Sequence, residues 1–444
     1  MKKVTFAIAG LGSRGLDAYA EYQKKHPDEM EIVAVADLKE ERRNLAKKEY
    51  GIKDDRIYKS AEEMLKEKRL ADAIIIATQD QDHVREALMA IEKGYHILME
   101  KPISPSKDEC LLLLDKARGY DKKIAVCHVL RYTSFYRTIK EIIDSKRLGS
   151  VVSIDAIEAV GYWHMAHSFV RGNWRNYNTT SPMLMQKSCH DMDILRYLTG
   201  EKAKRISSSG SLMYFKRENA PEGAAERCTI CKVKDSCPFD AEKIYITDRK
   251  TGIRHNRQWP CNVLQSNPDE EKIRKAIEIG PYGRCVFHSD NNVVDHQCVL
   301  IEFESGATAT FQMIGLSKEN HRSIHIFFTN GELLADMLSD EIVIKNFDDK
   351  EYEKIKIEKS SSGHLGGDEQ IMKEFIMSVN GEGDVSSSLS LSIDSHMMVF
   401  AAEESRISGK AVSLIDEFKG QAYNPEDGIT LEWMGRAEGI NEEQ

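Results

Sequence analysis

An N-terminal α/β unit built on a doubly wound parallel sheet, followed by an α+β unit around an open, mostly antiparallel sheet, is the architecture the sequence predicts. Three observations carry that expectation. Strand and helix patterns alternate with little interruption over residues 1–127, the order that parallel βαβ units require. The pattern then shifts to alternating strands such as CVLIEFESGATATFQM, which suit a sheet with one covered and one wet face. At 444 residues the chain exceeds the usual single-domain length of about 100–200. Two domains are therefore expected, 1–127 and 128–444, with a Cys-, Pro- and Gly-rich insert at about 215–295.

In the first half, VTFAIAG reads as a strand, Arg14 to Lys25 as an amphipathic helix, EIVAVAD as the second strand, and ADAIIIA, YHILM and KIAVC as later ones. Ser60 with Glu63, and Ser106 with Glu109, have capping-box spacing, and Gly94 closes the helix that begins near Asp82. In the second half, Tyr136 to Ser145 reads as a helix, VVSIDAIEAV as a strand, and another helix lies near His190. SSSLSLS near 386 reads as a loop, and the last 25 or so residues as a polar surface wrap.

A formal charge of -10 repels phosphate backbones and anionic lipid, so neither a nucleic-acid nor a membrane partner is expected. MKKVTFAIAG sets lysines before apolar residues as a signal peptide does, but Gly10, Gly12 and Arg14 interrupt the run and no small-residue cleavage site follows. A first strand is the better reading. No stretch nears the roughly 20 apolar residues of a membrane-spanning helix. Nine cysteines, an odd number, fit reduced thiols and a cytoplasmic location.

GLGSRG places Gly10, Leu11, Gly12, Ser13, Arg14 and Gly15 between the first strand and the first helix. Taken alone the spacing marks a tight turn. In this context it lets a pyrophosphate approach backbone amides at a helix N-terminus, as in a Rossmann dinucleotide-binding domain. Asp37 ends the second strand, where a carboxylate accepts the hydroxyls of the adenosine ribose. That favours NAD, while Arg42 and Arg43 keep NADP open, since a guanidinium there would hold a 2′-phosphate.

HILMEKPIS ends a buried strand in Glu100, Lys101 and Pro102. Ligands of doubly wound sheets sit outside the carboxyl ends of the strands. Lys101 is therefore expected beside the nicotinamide, placed to shuttle a proton to or from a substrate hydroxyl. Pro102 fixes the turn that aims it. The plain alternative is a surface lysine after a strand.

ADAIIIATQDQDHVREALMAIEKGYHILMEKPIS, with GLGSRG before it, resembles the glucose-fructose oxidoreductase, inositol dehydrogenase and MocA (Gfo/Idh/MocA) family across the whole first domain. The resemblance implies an NAD(P)-dependent oxidoreductase acting on sugars or cyclic polyols. It implies a second domain whose open sheet carries the substrate site and mediates oligomer contacts, hence a homodimer or homotetramer. It also implies that Thr78, His83 and Glu100 contact or frame the cofactor and that Lys101 is catalytic.

MLMQKSCHDMDIL gathers Gln186, Lys187, His190 and Asp191 at the head of a helix whose apolar face is Ile194, Leu195 and Leu198. Residues three and four apart share a helix face, so Gln186 and Lys187 would meet His190 in one pocket if that turn is already helical. His190 suits proton transfer near neutral pH. In the family this segment resembles, an Asp usually precedes the His by four positions. Gln186 stands there and cannot take a proton, so Lys187 is expected to supply the charge. Asp191 and Asp193 alternatively cap the helix.

GYWHMAHSFVRGNWRN concentrates His164, His167, Arg171, Trp174 and Arg175 around a Gly172-Asn173 turn. Such a loop suits sugar recognition, with aromatic faces against the ring and His and Arg on its hydroxyls or carboxylate. The alternative is a polar loop docking the two domains. Arg131, in HVLRY, is a further substrate-binding candidate.

ERCTICKVKDSCPF sets Cys228, Cys231 and Cys237 at C-x2-C-x5-C spacing, in an insert with little hydrophobic pattern of its own. Three close thiols in a reduced chain point to structural zinc, with Cys285 preferred to Cys261 as fourth ligand. Unliganded thiols and an iron-sulfur cluster are the other readings, though the tight C-x2-C-x2-C order of ferredoxins is missing.

The expected function is an NAD-dependent oxidoreductase moving hydride between the nicotinamide and a secondary alcohol carbon of a sugar, sugar acid or cyclitol. A redox-neutral glycosidase or lyase with tightly held NAD is the alternative, and a non-enzymatic dinucleotide sensor the third.

Overall fold

The computed structural model describes residues 2–348, 350–358 and 366–414. The polar tail read from the last 25 residues lies outside them. Six parallel strands form the first sheet: β1 Val4–Ala9, β2 Met30–Ala36, β3 Ile57–Tyr58, β4 Ala73–Ile76, β5 His96–Met99 and β6 Ile124–Val126. Their order is β3-β2-β1-β4-β5-β6, so the strand order reverses beside β1 and opens a crevice above its carboxyl end. β4 and nearly all of β1 and β5 are buried, as continuous apolar runs should be when helices cover both faces. Ser60 and Ser106 accept from the Glu63 and Glu109 amides, and Gly94 turns with φ +77° after the helix His83–Glu92.

The second sheet has nine strands: β7 Val151–Gly161, β8 Ala203–Ser211, β9 His296–Phe303, β10 Thr308–Ser317, β11 His321–Phe328, β12 Gly331–Asp336, β13 Glu341–Asn346, β14 Glu353–Lys356 and β15 Val412–Ser413. They run in the order β14-β13-β12-β11-β7-β10-β9-β8-β15, antiparallel except for β7 beside β10. β9 and β10 alternate buried and accessible residues, which leaves one face of the sheet uncovered.

After residue 366 the chain returns to the first sheet. Helix Gly367–Val379 packs Ile371, Phe375 and Ile376 into the core that holds Phe6 and Ile8, with the Phe6 and Phe375 rings 6.2 Å apart. SSSLSLS is not the loop expected. Ser387 accepts from the Val126 amide at the sheet edge, and Leu389 opens the helix Leu389–Ser408. Ser392 and Ser395 sit buried in it by turning their hydroxyls back onto backbone carbonyls, which satisfies polar groups that the sequence alone made look exposed.

The insert also differs from expectation, because it carries its own apolar cluster. The Phe215, Phe239 and Phe287 rings pack around Tyr214, and helix Glu270–Ile279, capped by Asp269, buries Ile273 and Ile277. Its apolar residues are spread along the chain, so no local periodicity announces them.

Candidate active site

The glycine loop is shaped by two close approaches. Gly10 takes φ +88°, and a Cβ there would meet the Ala77 carbonyl oxygen at 2.3 Å. A Cβ on Gly15 would meet the Gly10 carbonyl oxygen at 1.9 Å. Neither position has room for a side chain. Gly12 heads the helical segment Ser13–Ala20, an N-terminus of the kind that receives a pyrophosphate. Asp37 holds the loop from the next strand, accepting from the Leu11 amide at 2.7 Å and the Lys39 amide at 2.8 Å. Arg42 lies 3.5 Å from the Asp37 carboxylate, and Arg43 donates to the Asp37 and Leu38 carbonyls.

Glu100, at the end of β5, is buried and accepts from the Arg14 guanidinium at 2.6 Å and from the Tyr19 hydroxyl. Burial alone would raise its carboxyl, but Arg14 and Lys101 hold it below the usual range. Arg14 also reaches Asp368 at 2.7 Å, tying the glycine loop to the returning helix. His83 Nδ1 donates to the Pro102 carbonyl, 2.8 Å away, and its Nε2 lies 3.3 Å from Thr78 O. It frames the Glu-Lys-Pro turn from behind. Thr78 donates to Glu86 at 2.6 Å, and burial pushes the Glu86 carboxyl up to about 7.

Lys101 leaves this turn and crosses to the second half, donating to the Gln186 carbonyl at 2.9 Å. The Gln186 side chain turns the other way and donates to buried Asp80, which also accepts from Ser181 at 3.4 Å. The turn is not one helix: Met183–Gln186 ends before Lys187, and the helix holding His190 spans Cys189–Thr199. Lys187 instead meets Glu158 of β7 at 3.1 Å. Arg322 of β11 bridges Glu158 at 2.6 Å and Asp191 at 2.7 Å. Burial draws the Lys187 ammonium below its ordinary value, with Glu158 opposing and Arg322 reinforcing. Burial also pushes the Asp191 carboxyl up to about 6, against the pull of Arg322. Asp191 is thus an ion-pair partner, as is Asp193, and neither side chain caps the helix.

Asp80, Glu158 and Arg322 were not visible as site residues in the sequence. Each meets its partner across more than a hundred residues or from a neighbouring strand, and no local spacing signals that.

Three expected substrate residues are committed elsewhere. Arg131 forms a buried two-pronged pair with Asp193, at 2.5 and 2.6 Å, and donates to Ser386 O. His167 is buried, 3.0 Å from the Tyr245 hydroxyl and stacked on Tyr282, and burial holds its imidazole down to about 3. Arg171 is buried in the insert, donating to Arg284 O, Phe239 O and Cys228 Sγ. That loop holds the insert rather than docking the two domains. His164 and Trp174 stay partly accessible, His164 between Asn320 and the Trp259 ring and Trp174 at 37% exposure. Among the described residues no group of three or more His, Cys, Asp or Glu side chains is gathered closely enough to hold a metal ion. The tetrahedral set expected from Cys228, Cys231, Cys237 and Cys285 is therefore not preformed. No described helix is long and apolar enough to cross a membrane.

Comparison with known proteins agrees with this geometry. Residues 4–128 match the model of an oxidoreductase family with an NAD-binding Rossmann fold, and residues 140–414 match the same family's C-terminal alpha/beta domain. A protein of Bacillus subtilis (strain 168) carrying the name oxidoreductase YteT is 21% identical over 401 residues, covering 85% of this chain and 89% of that one. Inositol 2-dehydrogenase of Burkholderia cenocepacia (strain HI2424) is 27% identical over 173 residues, 38% of this chain and 47% of its own. The fold matches levoglucosan dehydrogenase in complex with NADH and levoglucosan, with a TM-score of 0.67 at 16% identity over 93% of this chain and 100% of that one. It also matches the WlbA dehydrogenase of Chromobacterium violaceum in complex with NADH and UDP-GlcNAcA, with a TM-score of 0.64 at 17% identity over 93% and 96%. With both halves matched and the glycine loop, Asp37 and the Glu-Lys-Pro turn around one crevice, the chain belongs to the Gfo/Idh/MocA oxidoreductase family.

Proposed function

We propose that the protein is an NAD-dependent oxidoreductase that moves hydride between the nicotinamide and a secondary alcohol carbon of a sugar, sugar acid or cyclitol. The observation that carries this is the Lys101 ammonium, which meets the Gln186 segment at the carboxyl end of β5. It stands where a cofactor on the glycine loop and a substrate on the second sheet would come together. NAD, when bound, supplies the hydride acceptor or donor.

The chain's own residues supply the rest. The loop from Gly10 to Gly15 cradles the pyrophosphate, Asp37 takes the ribose hydroxyls, and Thr78, His83 and Glu100 hold the walls of the cleft. Lys101, His190 and Lys187 exchange the hydroxyl proton as the carbon is oxidised or reduced. Gln186 and Asp191 fix the segment that presents them, with His164 and Trp174 at the accessible rim. The names of the relatives, an inositol dehydrogenase and a levoglucosan dehydrogenase, support a small carbohydrate or cyclitol substrate. A cytoplasmic homodimer or homotetramer is part of the same proposal. Replacing Lys101 with Met should lower turnover by about 100-fold or more with NAD binding nearly intact; unchanged turnover would remove Lys101 from the chemistry.

A second reading rests on Lys187. A half-buried lysine with lowered proton affinity, paired with Glu158, suits removal of a proton next to a transient ketone. That is the step a redox-neutral glycosidase or lyase needs.

A further inference from the structure

The least expected group in the insert is the Arg171 guanidinium. It is 1% exposed and faces no carboxylate within ion-pair distance among the described residues. Its Nη1 has no hydrogen-bond partner. A buried charge of this kind is costly unless something of opposite sign sits against it. Arg171 Nε and Nη2 donate to the neutral Arg284 and Phe239 carbonyls at 2.7 Å each, and Nη2 also lies 3.3 Å from Cys228 Sγ.

Around that contact lies a small cavity lined by Arg171, Cys228, Cys231, Cys237, Asp240 and Cys285 among others. Its free space is about 20 Å³, room for one water-sized sphere and too little for an organic ligand. Asp240, also buried, leaves its Oδ1 without a hydrogen-bond partner. Two unsatisfied polar atoms of opposite sign and four thiols thus border a space the size of one ion. Three of the thiols come from one turn, and Cys285 arrives from the far end of the insert, where the Cys285 amide donates to Glu226 O at 2.9 Å.

We propose that this cavity is a thiolate site for a single soft divalent cation, with zinc suited to four sulfurs, and that Arg171 is its counter-charge. As neutral thiols the cysteines pack like small apolar groups and have no reason to converge, which is why no ligand set is preformed. On uptake each thiol gives its proton to solvent and its sulfur a pair of electrons to the cation. The four thiolates then carry more negative charge than the cation cancels, and the Arg171 guanidinium offsets part of the excess. Such a site would pin both ends of the insert to the loop that carries His164, His167 and Trp174. Its existence does not depend on the proposed reaction.

The test is cobalt(II) titration of the full chain after treatment with a chelator, read by thiolate-to-cobalt charge-transfer absorption and by native mass. The expected result is saturation at one equivalent per chain. The bands should be lost in Cys228→Ser and Cys285→Ser and kept in Cys298→Ser, whose thiol is exposed and remote in the sheet. Uptake should also release protons into a weakly buffered solution. Absence of charge-transfer bands in the wild-type chain at saturating cobalt overturns the proposal whether or not the serine variants fold, and so do bands that survive in both of them.

Discussion

The Lys101 ammonium donates to the Gln186 carbonyl at 2.9 Å, across 85 residues of chain. The contact joins the turn after β5 to the segment that precedes His190. On its other side Gln186 donates to Asp80, at the end of the loop after β4. One glutamine therefore links Lys101 both to the loop after β4 and to the short helix Met183–Gln186. An aspartate at 186 would repel Asp80, so the glutamine and the buried Asp80 carboxylate belong together.

This link predicts that Asp80→Ala is felt in turnover. It leaves the buried Ser181 hydroxyl without its acceptor and the Gln186 amide with Ser181 Oγ alone, at about 1–3 kcal/mol in stability. Lys101 would lose its alignment, lowering turnover by about 10- to 100-fold. Asp80→Asn should be milder. Steady-state rates with the thermal midpoint of each variant check it, and full activity in Asp80→Ala would show that the link does not position Lys101.

Glu158 raises the Lys187 ammonium while burial and Arg322 lower it. Glu158→Gln removes the only one of these three that favours the proton. The pH limb governed by Lys187 should then move to lower pH by about one unit or more. A pH profile of kcat/KM for the two proteins reads this, and an unmoved profile would mean that Lys187 does not govern it.

Asp37 accepts from the Leu11 amide, and Arg42 sits 3.5 Å from its carboxylate. Asp37→Ser should weaken NAD by about 10-fold or more through loss of a charged acceptor. It should also free Arg42 for a 2′-phosphate and improve NADP. Cofactor titrations against both dinucleotides measure the change in preference, and an unaltered ratio would remove Asp37 from ribose recognition.

Glu86 is 3% exposed, and burial lifts its carboxyl from an ordinary 4.5 to about 7. The folded chain therefore holds this proton more tightly than the unfolded chain. Its contribution to stability is fully present below about pH 4.5 and is lost as pH rises through 7. The loss amounts to up to about 3 kcal/mol by pH 8. Glu86→Gln keeps an acceptor for Thr78 and should raise the unfolding midpoint at pH 8 while changing little at pH 5. Equal shifts at both values would contradict the assignment.

What the sequence disclosed follows from where each partner lies in the chain. The tight turn at Gly10 and Gly15 and the strand-end places of Asp37 and Lys101 were legible because fixed local offsets and strand ends determine them. The same holds for both sheets, whose apolar runs carry their own period. Arg131, His167 and Arg171 were misread because a polar residue in a loop looks the same whether it meets a sugar or a buried partner. Asp193, Tyr245 and Cys228, which decide the matter, lie 57 to 78 residues away. Glu158 and Arg322 went unseen for a related reason. They sit in strands that read as alternating sheet, and only the pairing of β7 with β11 sets them side by side over Asp191.

The central claim is hydride transfer at the Lys101 site. Its most direct test is the absorbance of reduced nicotinamide when the protein and Lys101→Met are each mixed with NAD and a panel of free sugars, sugar acids and cyclitols. The account predicts NADH from the wild-type chain with at least one of these, formed about 100-fold more slowly or worse by the variant. NAD that binds stoichiometrically while no member of the panel yields NADH, or equal rates from the two proteins, would contradict it.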